Sequence, residues 1–252
     1  LGSQRVVINT HHLAHTFRWI INNLGVNSEI FHEHELLGTA GAISAARAAL
    51  KPAPALVWNG DILTRPPVAE LLAAAEQSTG LCLAVSLTDA GSGTLGLDRN
   101  GNVVRLRGER FGEEVSGGDY IGVAGIGAGC LEGLPRSGCL IADWALPELR
   151  RGGIIPTVTT REPWTAVGDI RAYLLANREW LELHANSEHG SWVAADARVR
   201  HSVKISESVI GAGARVFGRG WVERSVVWPG AQAEAPLVDA VVLRSGRVVR
   251  LG

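Results

Sequence analysis

The sequence predicts an α/β protein, a mostly parallel sheet covered by helices on both faces, followed by a short left-handed parallel β-helix of hexapeptide repeats. Three observations predict it. Short β-branched runs alternate with helical patterns through the first half. Apolar residues recur at every fifth or sixth position after Trp192. A polar, small-residue stretch over 185–191 separates the two patterns and sets the expected domains at 1–186 and 192–252.

Arg5–Asn9 (RVVIN) is the first strand, and Leu13–Leu24 follows with apolar residues at Leu13, Phe17, Ile20, Ile21 and Leu24, one face of an amphipathic helix. Ser28–His32 is the next strand and Thr39–Leu50 an alanine-rich helix, which Pro52 and Pro54 end before the strand Ala55–Trp58. Pro66 and Pro67 sit where a helix start tolerates proline and open Val68–Glu76; Leu81–Leu87 is the strand after it. Such alternation argues for parallel neighbours. Leu95–Leu106 reads as a hairpin around Asp98-Arg99-Asn100-Gly101, Tyr120–Ile126 as a glycine-punctuated strand, and Asp143–Arg150 and Asp169–His184 as the last helices.

Beyond Trp192 the apolar positions are Val193, Val199, Ile205, Ile210, Val216, Val222 and Val227, with small or polar residues between them. A β-sandwich would need strands of period two. Steps of six broken by fives instead fit coils of about 18 residues, each made of three short strands with an apolar residue pointing inward, so that three coils are expected.

Composition narrows the partners. With 46% hydrophobic residues the chain can bury a core, and 24 basic against 25 acidic residues leave a net charge of −1, no footprint for nucleic acid or an anionic membrane surface. Small molecules are the expected ligands. Cys82, Cys130 and Cys139 form no CxxC pair and leave one thiol over, which fits a reducing cytoplasm better than a disulfide framework or a zinc site. No stretch reaches the roughly 18 apolar residues of a membrane span, and the start shows no signal-peptide pattern. The absence of methionine, at position 1 as elsewhere, is expected of a fragment or processed chain.

Three segments carry the candidate chemistry. Glu35-Leu36-Leu37-Gly38-Thr39-Ala40-Gly41-Ala42 lies between a strand and a helix start, where small residues allow a close backbone approach and a helix N-terminus favours negative charge; a tight strand-to-helix junction would look the same. Val57-Trp58-Asn59-Gly60-Asp61 puts a carboxylate at the C-terminal end of a strand, as a metal ligand or a turn aspartate. Trp164-Thr165-Ala166-Val167-Gly168-Asp169-Ile170-Arg171-Ala172-Tyr173-Leu174 leads into the last helix, which Asp169 can cap.

These segments resemble motifs of the sugar-1-phosphate nucleotidyltransferases, with mannose-1-phosphate guanylyltransferase-like members nearest: ELLGTAGAI resembles E-x-x-LGTAGA, VWNGDIL the NGD motif, Asn9-Thr10-His11-His12-Leu13-Ala14 the segment N-x-HHLA, and the third segment W-x-D-I-G-T-P-x-x-Y-L. The resemblance implies a Rossmann-like, GT-A-like domain in which Glu35, Leu37, Gly38, Thr39, Ala40, Gly41, Asn59 and Gly60 hold the nucleotide, and Asp61 is the catalytic aspartate that binds Mg²⁺. Gly122 of Tyr120-Ile121-Gly122-Val123, upstream of Leu134-Pro135, and Glu114 (with Glu113 beside it) would face the sugar. His11 and His12 read as structural or surface histidines. The family's second metal-binding aspartate falls on Ala166; Asp169 is either a relocated ligand or the helix cap.

The implied reaction is nucleotidyl transfer from an NTP, GTP as the first guess, to a sugar-1-phosphate such as mannose-1-phosphate, releasing pyrophosphate. The family's G-x-G-[TS]-R loop and its following Pro-Lys pair, which grip the triphosphate, are missing before Arg5, so an N-terminal truncation and little or no activity are expected of these 252 residues. A non-catalytic nucleotide-sugar-binding or regulatory subunit of the same fold is the alternative, supported by Ala166. A hexapeptide acyltransferase using His201 is disfavoured, because three coils make too small a groove. The β-helix is expected to make the protein a homo-oligomer.

Overall fold

The computed structural model describes residues 5–17, 21, 27–51, 54–77, 80–187 and 189–251. Contacts divide it into two compact units, Leu1–Gly60 with Arg65–Pro163, and Asp61–Thr64 with Trp164–Gly252.

In the first unit β1 (Val6–Thr10) pairs in parallel with β2 (Ser28–His32). Of the helix expected over Leu13–Leu24, residues 14–17 and 21 are helical, and 18–20 and 22–24 lie outside the described residues, as does Pro52. The helix expected over Thr39–Leu50 is broken at Ala46 into α1 (Gly38–Ala45) and α2 (Arg47–Leu50). β3 (Ala55–Trp58) follows, then β4 (Ile62–Leu63, in the second unit), α3 (Val68–Glu76), β5 (Leu81–Thr88), β6 (Leu95–Leu97), β7 (Val103–Leu106), β8 (Glu109–Arg110), β9 (Ser116–Ile126), α4 (Ala128–Gly133), a π-helical turn (Leu140–Ala145), α5 (Leu146–Arg150) and β10 (Thr157–Thr160).

The large sheet runs β10-β5-β9-β6-β7-β8, with β3 also on β9, and among the described residues β10 with β5 is its one parallel pair. This corrects the expectation of a mostly parallel sheet. β3 and β5, joined through α3, do point the same way, but the 11-residue β9 inserts between them and runs against both. A strand contributed from later in the chain leaves no trace in the local alternation. The hairpin expected over Leu95–Leu106 is β6–β7, and the Asp98 carboxylate accepts from the N–H groups of Asn100 and Asn102 at 2.8 Å each, which fixes its turn. Leu81, Leu83, Val85, Leu95, Leu97 and Ile126 bury one core with Leu131 and Trp144 from helical segments and Ile155 from the connection before β10.

In the second unit β11 (Thr165–Ala166) pairs antiparallel with β4, and α6 (Ile170–His184) leads to a coil of short parallel strands. One column stacks β12 (Trp192–Val193), β15 (Val209–Ile210), β17 (Val226–Val227) and β19 (Ala240–Val242), with Trp192 opposite Val209, Val209 opposite Val226 and Val226 opposite Val241. Two further columns stack β13 (Arg198–Val199) and β14 (Val203–Ser206) on the two halves of β16 (Arg215–Glu223), and these on β18 (Gln232–Val238). All seven apolar positions singled out from the sequence, Val193 through Val227, pack into one interior cluster with Ala214, Ala233, Leu237 and Val242. The alternate residues of the first column face outward: Val209, Val226 and Val241 pack with Ile170, Tyr173 and Leu174 of α6, so α6 groups with the coil. β20 (Val248–Arg250) ends that column antiparallel to β19.

One corner of the coil is stapled by buried hydroxyls. Ser208 N–H donates to Ser191 Oγ at 3.1 Å, Ser225 N–H to Ser208 Oγ at 3.0 Å and Ala240 N–H to Ser225 Oγ at 3.1 Å, each step climbing one coil. The three serines are buried, so each hydroxyl is the acceptor that its neighbour's amide cannot replace with water. Ser208→Ala leaves the Ser225 amide unpaired. A loss of about 1–3 kcal/mol is expected in the urea unfolding free energy, and an unchanged midpoint would show the ladder to be incidental.

Candidate functional site

The segment after β2 is organised by Glu33, which is buried at 4% exposure. One carboxylate oxygen accepts from Asn9 Nδ2 at 2.8 Å and the other from the Leu37 N–H at 3.1 Å, so β1 and the start of α1 are both tied to it. His11 Nδ1 lies 2.9 Å from the Glu33 carbonyl and His32 Nδ1 3.2 Å from the Thr10 carbonyl, cross-linking the two strand ends in the structural role expected of His11. His12 is exposed, and Glu35 and Leu36 project to solvent. Sequence reading passed over Glu33; the only signal was a carboxylate directly after a strand, within the alternating FHEHE.

The glycines of the LGTAGA segment meet protein backbone. Gly38 has φ +71°, and a Cβ there would collide with the Gly138 carbonyl; one on Gly41 would lie 2.7 Å from the Arg136 carbonyl oxygen. Gly138 N–H donates to Leu37 O at 2.7 Å, Ala40 N–H to Gly138 O at 2.9 Å, and Leu140 N–H to Thr39 Oγ1 at 3.0 Å. The close approach these small residues permit is therefore taken up by the 136–138 turn, and the Ala40 amide at the helix start is already paired. Gly38 and Thr39 remain exposed, while Ala40 and Gly41 are buried.

At the end of β3, Asn59 N–H donates to Gly122 O at 2.9 Å, which brings two of the sequence-selected residues together. Gly122 has φ +76° and sits where the register of β9 against β5 shifts, a bulge that only glycine adopts without strain. Gly60 is exposed, and a Cβ there would meet nothing within 4 Å.

Asp61 opens the second unit. Its carbonyl accepts from the Val167 N–H at 2.7 Å, and Ile62 stands opposite Ala166. The two segments that resemble the metal-binding motifs thus lie side by side on β4 and β11, with an exposed carboxylate on one and a methyl group on the other. Asp169 is the N-cap of α6: its Oδ1 accepts from the Ala172 N–H at 2.8 Å. Among the described residues no group of three or more His, Cys, Asp or Glu is placed to hold a metal ion. Of the two aspartates expected to bind Mg²⁺, Asp61 presents an exposed carboxylate and Asp169 one engaged in the helix cap.

Glu114 is engaged. Only 4% exposed, it accepts from Arg105 Nε at 2.9 Å, Arg105 Nη2 at 3.0 Å and the Gly91 N–H at 2.8 Å. Arg105 also donates to the carbonyls of Ser92, Gly93 and Leu95, so the pair closes the loop between β5 and β6. The hydrogen bond from Arg105 and that from Gly91 hold the Glu114 carboxyl below the usual range. A sugar hydroxyl would have to compete with this clamp. Glu113 is exposed against Arg99. Burial pushes the Cys82 and Cys130 thiols up to about 12, which leaves them inert packing groups. His201 lies exposed on a turn of the coil.

No protein-family profile matches the chain, and no curated protein does. Solved structures do. HddC from Yersinia pseudotuberculosis is similar over 71% of this chain and 80% of its own, with a TM-score of 0.58 and 20% identity. HddC complexed with GMP-PN matches with the same coverage and TM-score at 22% identity. The likeness is one of fold: a mixed α/β protein of that architecture. No helix among the described residues is long and apolar enough to cross a membrane.

Proposed function

We propose that the chain is a nucleotide-sugar protein of the sugar-1-phosphate nucleotidyltransferase kind, with Asp61 as its Mg²⁺ ligand. The observation that carries this is the pairing of β4 with β11, which sets Asp61 beside the segment expected to provide its partner. A fold shared with a protein solved with GMP-PN supports a guanine nucleotide. The Glu35–Gly41 segment and Asn59–Gly60 hold the nucleotide, and Gly122 and Glu114 lie toward the sugar. In the reaction an oxygen of the sugar-1-phosphate attacks the α-phosphorus of the NTP and pyrophosphate leaves. Mg²⁺ would supply charge neutralisation on the phosphates. The chain's own part is positioning: Glu33 fixes the entry to α1, and the Asn59–Gly122 bond fixes the end of β3. The C-terminal coil is read as a left-handed β-helix that mediates homo-oligomerisation, in a cytoplasmic enzyme.

A second reading, a non-catalytic nucleotide-sugar-binding subunit, is favoured by Ala166 and by the capping role of Asp169. With no G-x-G-[TS]-R sequence, pyrophosphate release from these 252 residues is expected to be weak or absent. Pyrophosphate release would mark the enzyme, and calorimetry with GTP tests the assignment of Asp61. Binding should strengthen with Mg²⁺, and Asp61→Asn should remove most of that gain, about tenfold in Kd. Asp169→Ala should cost about 1 kcal/mol of stability as a lost cap and leave the Mg²⁺ effect intact. If Asp61→Asn has no effect on Mg²⁺-dependent binding, the assignment fails; if Asp169→Ala abolishes it, Asp169 is the relocated ligand.

A further inference from the structure

The geometry points to a metal site separate from Asp61 and independent of the nucleotide reading: a two-histidine chelate for a divalent transition-metal ion, formed by His32 and His34 at the end of β2. In extended backbone successive side chains alternate between faces. His32, the last residue of β2, and His34 are both exposed, and Glu33 between them is buried on the other side. The two imidazoles meet with ring centroids 5.0 Å apart and planes at 76°.

That separation suits one shared ion. With a metal–nitrogen bond of about 2.0–2.1 Å and a ring centre about 1.1 Å beyond the nitrogen, two imidazoles on one ion have centroids about 4.5 Å apart at a right angle and about 5.2 Å apart at a tetrahedral one. Ring packing alone spans about 4.5–7 Å, so the tautomer is the second observation. His32 Nδ1 lies 3.2 Å from the Thr10 carbonyl oxygen, which can only accept; Nδ1 therefore carries the hydrogen, and in the neutral ring Nε2 keeps its lone pair. Donation of one ring N–H to a backbone carbonyl is the usual support of a metal-ligating histidine. The third observation is that the segment is held before any ion arrives. The Glu33 carboxylate accepts from Asn9 Nδ2 at 2.8 Å and from the Leu37 N–H at 3.1 Å, and the Glu33 N–H donates to the Thr10 carbonyl at 2.8 Å, so the backbone between the two rings is anchored to β1 and to the start of α1. Imidazole ligands select nickel, copper or zinc over magnesium. Water fills the remaining positions, in keeping with the absence of a third metal-ligating group among the described residues.

The test is calorimetric titration of the whole chain with Ni²⁺. Expected is saturable one-to-one binding that excess Mg²⁺ does not displace. His34→Gln and His32→Gln should each weaken it tenfold or more, and the double variant should lose no more than twofold beyond either single one, because a chelate is lost only once. His34 is exposed, so the test stands even if His32→Gln loosens the strand end. With Zn²⁺, nitrogen NMR should show His32 coordinated through Nε2 with its Nδ1–H retained. Absence of saturable binding, displacement by Mg²⁺, less than tenfold loss in His34→Gln, additive losses in the double variant, or zinc on His32 Nδ1 would each overturn the proposal.

Discussion

Replacing Arg105 by methionine is expected to lower the melting temperature by about 10 °C, since breaking a largely buried ion pair from one side costs about 3 kcal/mol in a protein of this size. The magnitude rests on what is left behind. Glu114 would keep its low exposure and its bond from Gly91 but lose both guanidinium donors, and the carbonyls of Ser92, Gly93 and Leu95 would lose their common donor. The pH dependence follows with a definite sign. Arg105 and Gly91 hold the Glu114 carboxyl below its ordinary 4.5 in the folded protein. Its contribution is therefore fully present above the unfolded value and is lost as pH falls through the folded one. The gap between wild type and Arg105→Met should be constant near neutrality and narrow in acid below about pH 4.5. Glu113→Gln, at the exposed pair with Arg99, should change stability by no more than about 0.5 kcal/mol. Thermal unfolding of the three proteins across pH decides; equal melting temperatures for wild type and Arg105→Met would remove the clamp from the account.

Gly38→Ala should be of similar size, about 3 kcal/mol, because a β-carbon at φ +71° is strained and here also strikes the Gly138 carbonyl. The damage is local before it is global. The reciprocal bonds Gly138 N–H to Leu37 O and Ala40 N–H to Gly138 O would open first, so the Ala40 and Gly138 amides should exchange hydrogen faster at mild denaturant concentration. Gly60→Ala, where nothing stands within 4 Å of the added carbon, is the matched control and should be nearly neutral. If both variants unfold at the same denaturant concentration, the contact with the 136–138 turn does not matter.

Local patterns were legible and long-range partnerships were not. The apolar steps from Val193 to Val227 marked the interior of the coil, because each inward position repeats at a fixed spacing whatever lies beside it. The β6–β7 hairpin was readable from Asp98 to Gly101, since turn chemistry lies within a few residues. The insertion of β9 between β3 and β5 was invisible, as it depends on a strand some sixty residues further on. In the candidate site the same division holds. The Asp61 and Ala166 segments were found by their motifs, whereas the partner that fills the space around Gly38 and Gly41 is a turn a hundred residues away with no motif of its own. Glu114 was expected to face the sugar, because nothing in the sequence announced that Arg105 would reach it.

The coil's own arithmetic limits how it can grow. Its first-column registers advance by 17, 17 and then 15 residues, and the last rung is met by a strand running the other way. A foreign β-segment arriving at that column finds a strand of reversed polarity, flanked by the exposed Arg247 and ending on the exposed Arg250, in place of another parallel rung to copy. A repetitive stack that would otherwise invite fibre growth is, at this column, a finite object.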